Sequence, residues 1–360
     1  MNETKPKLEV LDALRGFCAL AVVALHFTEN YAKGHGAPGV PHAYLPVEYF
    51  LFLTGFTFVY AYDARWAEGM TVGGFFRRRL LRMHPLVVVG SLFGALLYLT
   101  VPELSCMRDG HGFGWFLLGT VWSCTLVPAP ACMGWSLTHV MQGPMWTMVW
   151  IYFANVLYAV FLRHLRTWML GVLAVAGVGF YWWADATYGV GNGWRFDARH
   201  NVCALARLAF PVFAGMFIAR KGWRIRTGKA GLWICLALLA CVFVAPLPAT
   251  RVARAWLDTS LVVGVITLVV LCGIGGTIAN PKLAAFCRFM GAYSFPLFAT
   301  HFPFRVIQKA WILAHPSAPL HLHVAVSLAL VFFAFVNAWA AMKLVEAFDR
   351  WAKNRALVRP

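Results

Sequence analysis

Long apolar runs, separated by short polar connections, dominate the chain. Ten of them have spanning length, roughly 16–25 residues each. They cover 11–28, 47–62, 84–101, 144–162, 168–184, 203–219, 230–246, 259–278, 289–313 and 324–343. An eleventh run, 113–128, is short and carries Ser123, Cys124 and Thr125. The pattern predicts an all-α integral membrane protein, a bundle of about ten transmembrane helices. Whether 113–128 crosses decides the topology, and Lys and Arg discriminate because they gather on the cytoplasmic side. With ten spans, both termini share a side with Arg65, Arg77, Arg78, Arg79 and Arg82. Arg163, Arg166 and the cluster from Arg220 to Lys229 fall there too, as do Lys282, Arg288 and the basic residues from Lys343 onward. An eleventh crossing would move the clusters after residue 162 outside. The expectation is therefore ten spans with cytoplasmic termini. The run 113–128 becomes an additional short segment outside, with a re-entrant course open to it, and 346–360 a basic cytoplasmic tail.

Composition agrees. Hydrophobic residues make up 61% and charged residues 12% of the 360 positions, and the mean hydropathy is +0.67. That excludes an ordinary soluble globule. A net charge of +17 would point to nucleic acid in a soluble protein. Here the positive-inside bias accounts for it, so no nucleic-acid partner is expected. The nine cysteines show no CxxC or metal-ligand spacing, and no metal is expected. Cys106, Cys124 and Cys132 share one outer segment, which permits a disulfide in an oxidising compartment. Arg15 interrupts the first run, which argues against a cleaved signal peptide. One membrane domain over 1–360 is expected, with no soluble domain appended.

The informative residues are polar ones inside apolar runs, where they are costly and tend to mark pathways. Arg15 and His26 lie in LDALRGFCALAVVALHF. Eleven helical residues turn through about 1,100°, so the two side chains share a face, about 16 Å apart along the axis. Asp12 lies one turn before Arg15 and can pair with it. Glu48 opens VEYFLFLTGF, which Thr54–Gly55 is expected to interrupt. In FFRRRLLRMHP, Arg79 and Arg82 share a helix face, suited to phosphate, and His84–Pro85 is expected to open the next helix. GPMWTMVWIYFANVLY places Asn155 deep in a helix that Pro144 can begin, and Arg207 stands inside another run. In GAYSFPLFATHFPF, two prolines argue against a regular helix, and His301 falls near mid-depth. The connections 29–46, 102–143 and 185–202 carry His35, His42, His111, His139 and His200, with Trp115, Trp122, Trp135 and Trp194. Such loops suit a carbohydrate or a lipid headgroup, or are ordinary interface chemistry.

Together these patches resemble the acyltransferase-3 family of multipass bacterial membrane O-acyltransferases. LDALRGFCALAVVALH is similar to its opening Arg/His helix. EYFLFLTGF resembles its Asp-x-Phe-Phe-x-x-Ser-Gly-Phe element, with Glu48 for the acid and Thr54 for the serine. RRLLRMHP resembles its Arg-x-x-Arg-x-x-Pro element, and GPMWTM its Gly-Pro-x-Trp-Ser-Leu helix, with Trp146. GAYSFPLFATHFPF resembles its late Ser/Pro/His/Pro helix, with Ser294 and His301. The matches run in order over about 8–345.

The resemblance implies transfer of an acyl group, usually acetyl, from acyl-CoA to a sugar hydroxyl at the bacterial inner membrane. Acyl-CoA enters as donor substrate, with no permanently bound cofactor. The acceptor is a saccharide or lipid-linked glycan, and polysaccharide-assembly proteins are conceivable partners. It places catalysis on His26, Arg15 and Glu48, and donor binding on Arg79, Arg82 and Arg15. Asp12, His301, Ser294, Trp146 and Arg207 stand in support. His26 would act as general base or accept the acyl group itself. The chain departs at Ile151, where many relatives carry Glu, so Glu48 or Asp12 would substitute or that Glu is dispensable. The residues alone also fit a transporter or flippase, and Ile151 leaves room for a catalytically altered member.

Overall fold

The computed structural model describes residues 7–31, 39–100, 112–129, 137–191 and 193–354, with the side chains of 352–354 excepted. No strand occurs among them. The helices are α1 (Glu9–Thr28), α2 (Pro46–Phe58), α3 (Ala64–Ala67), α4 (Val72–Thr100), α5 (Gly112–Thr125), α6 (Trp146–Val160) and α7 (Thr167–Tyr188). They continue with α8 (Ala198–Lys221), α9 (Gly231–Val244), α10 (Arg251–Ser260), α11 (Thr267–Gly275), α12 (Pro281–Thr300), α13 (Phe302–Ala314) and α14 (Leu320–Asn354). Among the described residues, six segments are long and apolar enough to cross a membrane: Glu9–Tyr31, Val72–Thr100, Thr167–Tyr188, Ala198–Lys221, Arg251–Gly275 and Leu320–Trp351. The remaining predicted runs fold as shorter or interrupted helices. Thus 47–62 is α2 continued by a π-turn at Val59–Asp63, and 230–246 is the 14-residue α9. The run 113–128 folds as the 14-residue α5, packed on α4. Of the three cysteines in the outer segment, Cys124 is a free thiol, while Cys106 and Cys132 lie outside the described residues, as do His35, His111 and Trp135.

Three local expectations are corrected. His84–Pro85 does not open a helix: α4 begins at Val72 and runs through Pro85, so the arginine cluster and the following apolar turns form one rod. Thr54–Gly55 does not interrupt α2; the Thr54 hydroxyl donates to the Phe50 carbonyl and the helix continues. The late helix passes through Pro296 and breaks only at His301, after which Pro303 sits in the first turn of α13, where a missing N–H costs nothing.

Gly55 serves packing instead. A Cβ there would lie 2.1 Å from the Val212 carbonyl oxygen, and one on Gly215 would lie 2.3 Å from that of Phe52. The α2 and α8 backbones therefore meet with glycine on both sides, as in small-residue membrane interfaces. Gly90 and Gly94 likewise abut the carbonyls of Ala299 and Met141. Gly55→Val is expected to force α2 and α8 apart and to abolish the monodisperse peak in detergent size-exclusion; an unchanged elution and melting profile would refute this close approach.

Around this crossing, α1 packs on α12 and α7 on α8. Several of the basic residues have fixed partners. Arg220 donates to Asp63 and to the carbonyls of Leu165 and Arg163, and Arg163 lies 4.0 Å over the Trp66 ring. Arg288 pairs with Glu9 at 2.7 Å.

Candidate functional site

The α1 face predicted from periodicity is a cavity wall. At one end, Arg15 pairs with Asp12 at 2.9 Å and donates to the Gly291 carbonyl at 3.3 Å. At the other, His26 Nδ1 lies 3.1 Å from Glu29 Oε1, and Arg305 Nη2 reaches the same oxygen at 3.0 Å. The break between α12 and α13 delivers His301 to this place. Its ring stacks on that of His26, with centroids 5.3 Å apart and planes at 24°, and the Phe302 ring meets His26 edge-on at 5.6 Å. His301 is fully buried, with Nδ1 held 3.0 Å from the Leu297 carbonyl. Sequence gave no reason for the two imidazoles to meet; the chain break at the end of α12 brings them together.

Two cavities open along this wall. The outer one, about 920 Å³, is lined by His26, Glu29, Trp146, Trp194, Arg207 and Arg305, among others. The inner one, about 370 Å³, is lined by Arg15, Arg79, Arg82, Thr54, Ser294 and Ile151, among others. Val47, Thr147 and Phe298 line both, so the cavities meet at these three side chains. Arg79 and Arg82 thus share the inner cavity with Arg15 and Ser294. Arg79 is buried, and its Nε donates to Asn155 Oδ1 at 2.6 Å, which accounts for the polar residue deep in α6. Arg82 is exposed and in no described ion pair.

Glu48 is placed elsewhere. It is fully buried, lines neither cavity, and is gripped by Arg207 through Nε at 2.5 Å and Nη2 at 2.8 Å. The Tyr181 hydroxyl also donates to it at 3.4 Å. This bidentate pair is the partner Arg207 required, and Trp146 covers the guanidinium from 5.4 Å. Asp12 serves Arg15. The carboxylate beside His26 is Glu29, which sequence reading passed over. The signal was present: Glu29 follows His26 by three residues, one helical turn, but sits at the polar edge of the run and read as connection. Ile151 lines the inner cavity, apart from the His26–Glu29 contact in the outer one.

A second polar group adjoins the outer cavity: Tyr44 and Asp258 line it, and the fully buried His42 does not. His42 Nδ1 lies 2.9 Å from Asp258 Oδ1, and the Tyr44 hydroxyl donates to Asp258 Oδ2 at 2.6 Å. Burial, and next the Asp258 carboxylate, push the Tyr44 phenol far above its ordinary range, so it remains a donor. No cluster of metal-ligating groups occurs among the described residues.

Chemically, the arrangement pairs a cationic inner chamber with an outer chamber holding an imidazole whose Nδ1 is committed to a carboxylate. That contact assigns the Nδ1 proton to the Glu29 side, leaving Nε2 as the basic nitrogen. Nε2 has no hydrogen-bond partner among the described residues.

Comparison with known proteins gives the family. A relative from Rhizobium radiobacter, named protein 2 in the picA locus, is 26% identical over 167 residues, covering 44% of this chain and 85% of that protein. No solved structure matches. The acyltransferase domain of the acyltransferase-3 family matches residues 8–341, nearly the whole described fold, and the chain belongs to that family.

Proposed function

We propose that the protein moves an acyl group, acetyl in the simplest case, from acyl-CoA on the cytoplasmic side to a hydroxyl of a saccharide or glycolipid bound for the cell surface, across the bacterial inner membrane. One observation carries the reading: the cavity holding Arg15, Arg79 and Arg82 meets the cavity holding His26 at Val47, Thr147 and Phe298. The basic end of the bundle faces the cytoplasm by the positive-inside bias. Donor phosphates then bind the inner arginines, whose forked donors suit phosphate oxygens. The thioester reaches the neck, and the acceptor hydroxyl enters from the outer cavity. His26 Nε2 takes the hydroxyl proton as the oxygen attacks the thioester carbon. The C–S bond breaks as the C–O bond forms, and the proton returns to the departing thiolate. Glu29, anchored by Arg305, holds the ring and stabilises the transient imidazolium. His301 walls the other ring face. Glu48 and Arg207 support the outer wall and take no part in proton transfer.

The test is release of free thiol from labelled acetyl-CoA by purified protein in nanodiscs, coupled to label in the saccharide. Saccharide crossing the bilayer without thiol release would replace this reading with transport. Arg82 is the cleanest probe of the donor site, because it holds no described structural contact. Arg82→Ala is expected to raise the KM for acyl-CoA about tenfold, the worth of one charged hydrogen bond, with kcat little changed. An unchanged KM would remove Arg82 from the donor site.

A further inference from the structure

The outer cavity holds more positive charge than its own carboxylates neutralise, and the surplus lies on one wall. Five arginines line it: Arg199, Arg207, Arg251, Arg254 and Arg305. Two are matched, Arg207 by Glu48 and Arg305 by Glu29. The other lining carboxylates are engaged elsewhere. Asp258 faces His42 and Tyr44, and Asp185 accepts from the Val190 backbone N–H at 2.8 Å. Arg199, Arg251 and Arg254 make no ion pair among the described residues.

Two of the three are held in place. Arg199 donates to the Tyr188 carbonyl at 3.0 Å and Arg251 to the Thr187 carbonyl at 2.8 Å. Both carbonyls end α7, where the helix presents its negative pole, so the two cations are seated there through one N–H group each. Neither fork makes a further hydrogen bond among the described residues, which leaves its other donors to another acceptor. Arg254, one turn along α10 from Arg251, has a buried Nε–H with no partner among the described residues. A buried guanidinium N–H without an acceptor is unusual and needs a reason. Trp194 and Trp146 line the same cavity and offer flat apolar faces of the kind that sugar rings cover.

We propose that the acceptor carries an anionic group, a carboxylate or a phosphate, which Arg254 binds together with Arg199 and Arg251 while the sugar lies over the tryptophans with its hydroxyl toward His26. This rests on the acyl-transfer reading and adds the acceptor's charge to it. A planar fork of N–H donors selects the oxyanion over a neutral hydroxyl. Two sources share that chemistry: an acidic sugar within the saccharide, or the phosphate that joins a saccharide to a lipid.

The experiment uses full-length protein in zwitterionic nanodiscs with labelled acetyl-CoA and three acceptors. They are a neutral oligosaccharide, the same oligosaccharide bearing one uronate, and the neutral oligosaccharide joined through phosphate to a short polyprenyl chain. One anionic acceptor is expected to exceed the neutral one in kcat/KM by about tenfold or more, and which one it is identifies the source. In Arg254→Gln the preference should fall to near unity through KM; Arg254→Lys should retain part of it, since charge survives without the fork. Equal kcat/KM for neutral and anionic acceptors, with transfer intact, overturns the charge assignment alone. Absence of transfer to every acceptor overturns the acyl-transfer reading. The anion site is then judged by equilibrium binding of the uronate oligosaccharide. Binding that weakens with salt and is lost in Arg254→Gln supports it, and binding indifferent to both refutes it.

Discussion

His26→Ala is expected to lower acyl transfer by roughly 10²–10⁴-fold, the range for loss of a positioned general base, while the protein still inserts and elutes as a single species. The reason is local. His26 is the imidazole in the outer cavity that pairs with a carboxylate and keeps a ring nitrogen unengaged. The neighbouring imidazole, His301, has Nδ1 turned to backbone carbonyls and Nε2 buried, so it cannot take over by a simple rotation. The ring of His26 contributes little to the core beyond its contacts with His301 and Phe302, and removing it leaves the α1–α12 packing to Gly16, Met290 and their neighbours. Thiol release and label transfer, measured alongside a melting curve, separate chemistry from folding. Near-normal transfer would exclude His26 as the base. Glu29→Gln provides the companion measurement: it preserves shape but removes the charge facing the imidazolium, so kcat should fall and the KM for acyl-CoA should hold.

Arg207→Met is expected to cost about 3–5 kcal/mol of stability, because it leaves the fully buried Glu48 carboxyl without its partner. Thermal unfolding in detergent should register it as a large drop in melting temperature or loss of folded material. Pairing it with Glu48→Gln should recover much of the loss, since replacing both members of a buried ion pair removes the unpaired charge along with the attraction. Recovery of transfer in the double variant would also distinguish support from catalysis: Glu48 as a catalytic acid predicts a stable but inactive protein.

These predictions depend on partners of unequal visibility in the sequence. The Arg15–His26 face followed from helical periodicity alone, since both residues belong to one element and α1 is regular. Asp12 with Arg15, three apart, was legible for the same reason. Arg79 and Arg82 needed only a helix through them, and they received one, although its start was misplaced: Pro85 read as a boundary, yet α4 continues through it. Glu29 was within reach by the same one-turn rule and was lost because apolar run length, rather than helix continuation through a polar end, marked where α1 stopped.

Other pairings were beyond any local rule. Arg207 required a partner, but the choice among the carboxylates depended on the α2–α8 crossing at Gly55 and Gly215, which places Glu48 under its fork. His301 could have faced lipid, core or cavity; the break after α12 and the packing of α12 on α1 turned it onto His26.

By itself the sequence determined the helical membrane character, the family motifs, and which residues share a face within one helix. These follow from composition and from a period of about 3.6 residues per turn. Tertiary structure decided which helices meet and therefore which charges neutralise one another. It assigned Glu48 to Arg207 and left Arg199, Arg251 and Arg254 without carboxylate partners among the described residues. Those outcomes depend on contacts between residues up to 159 positions apart, which backbone proximity fixes and no local pattern encodes.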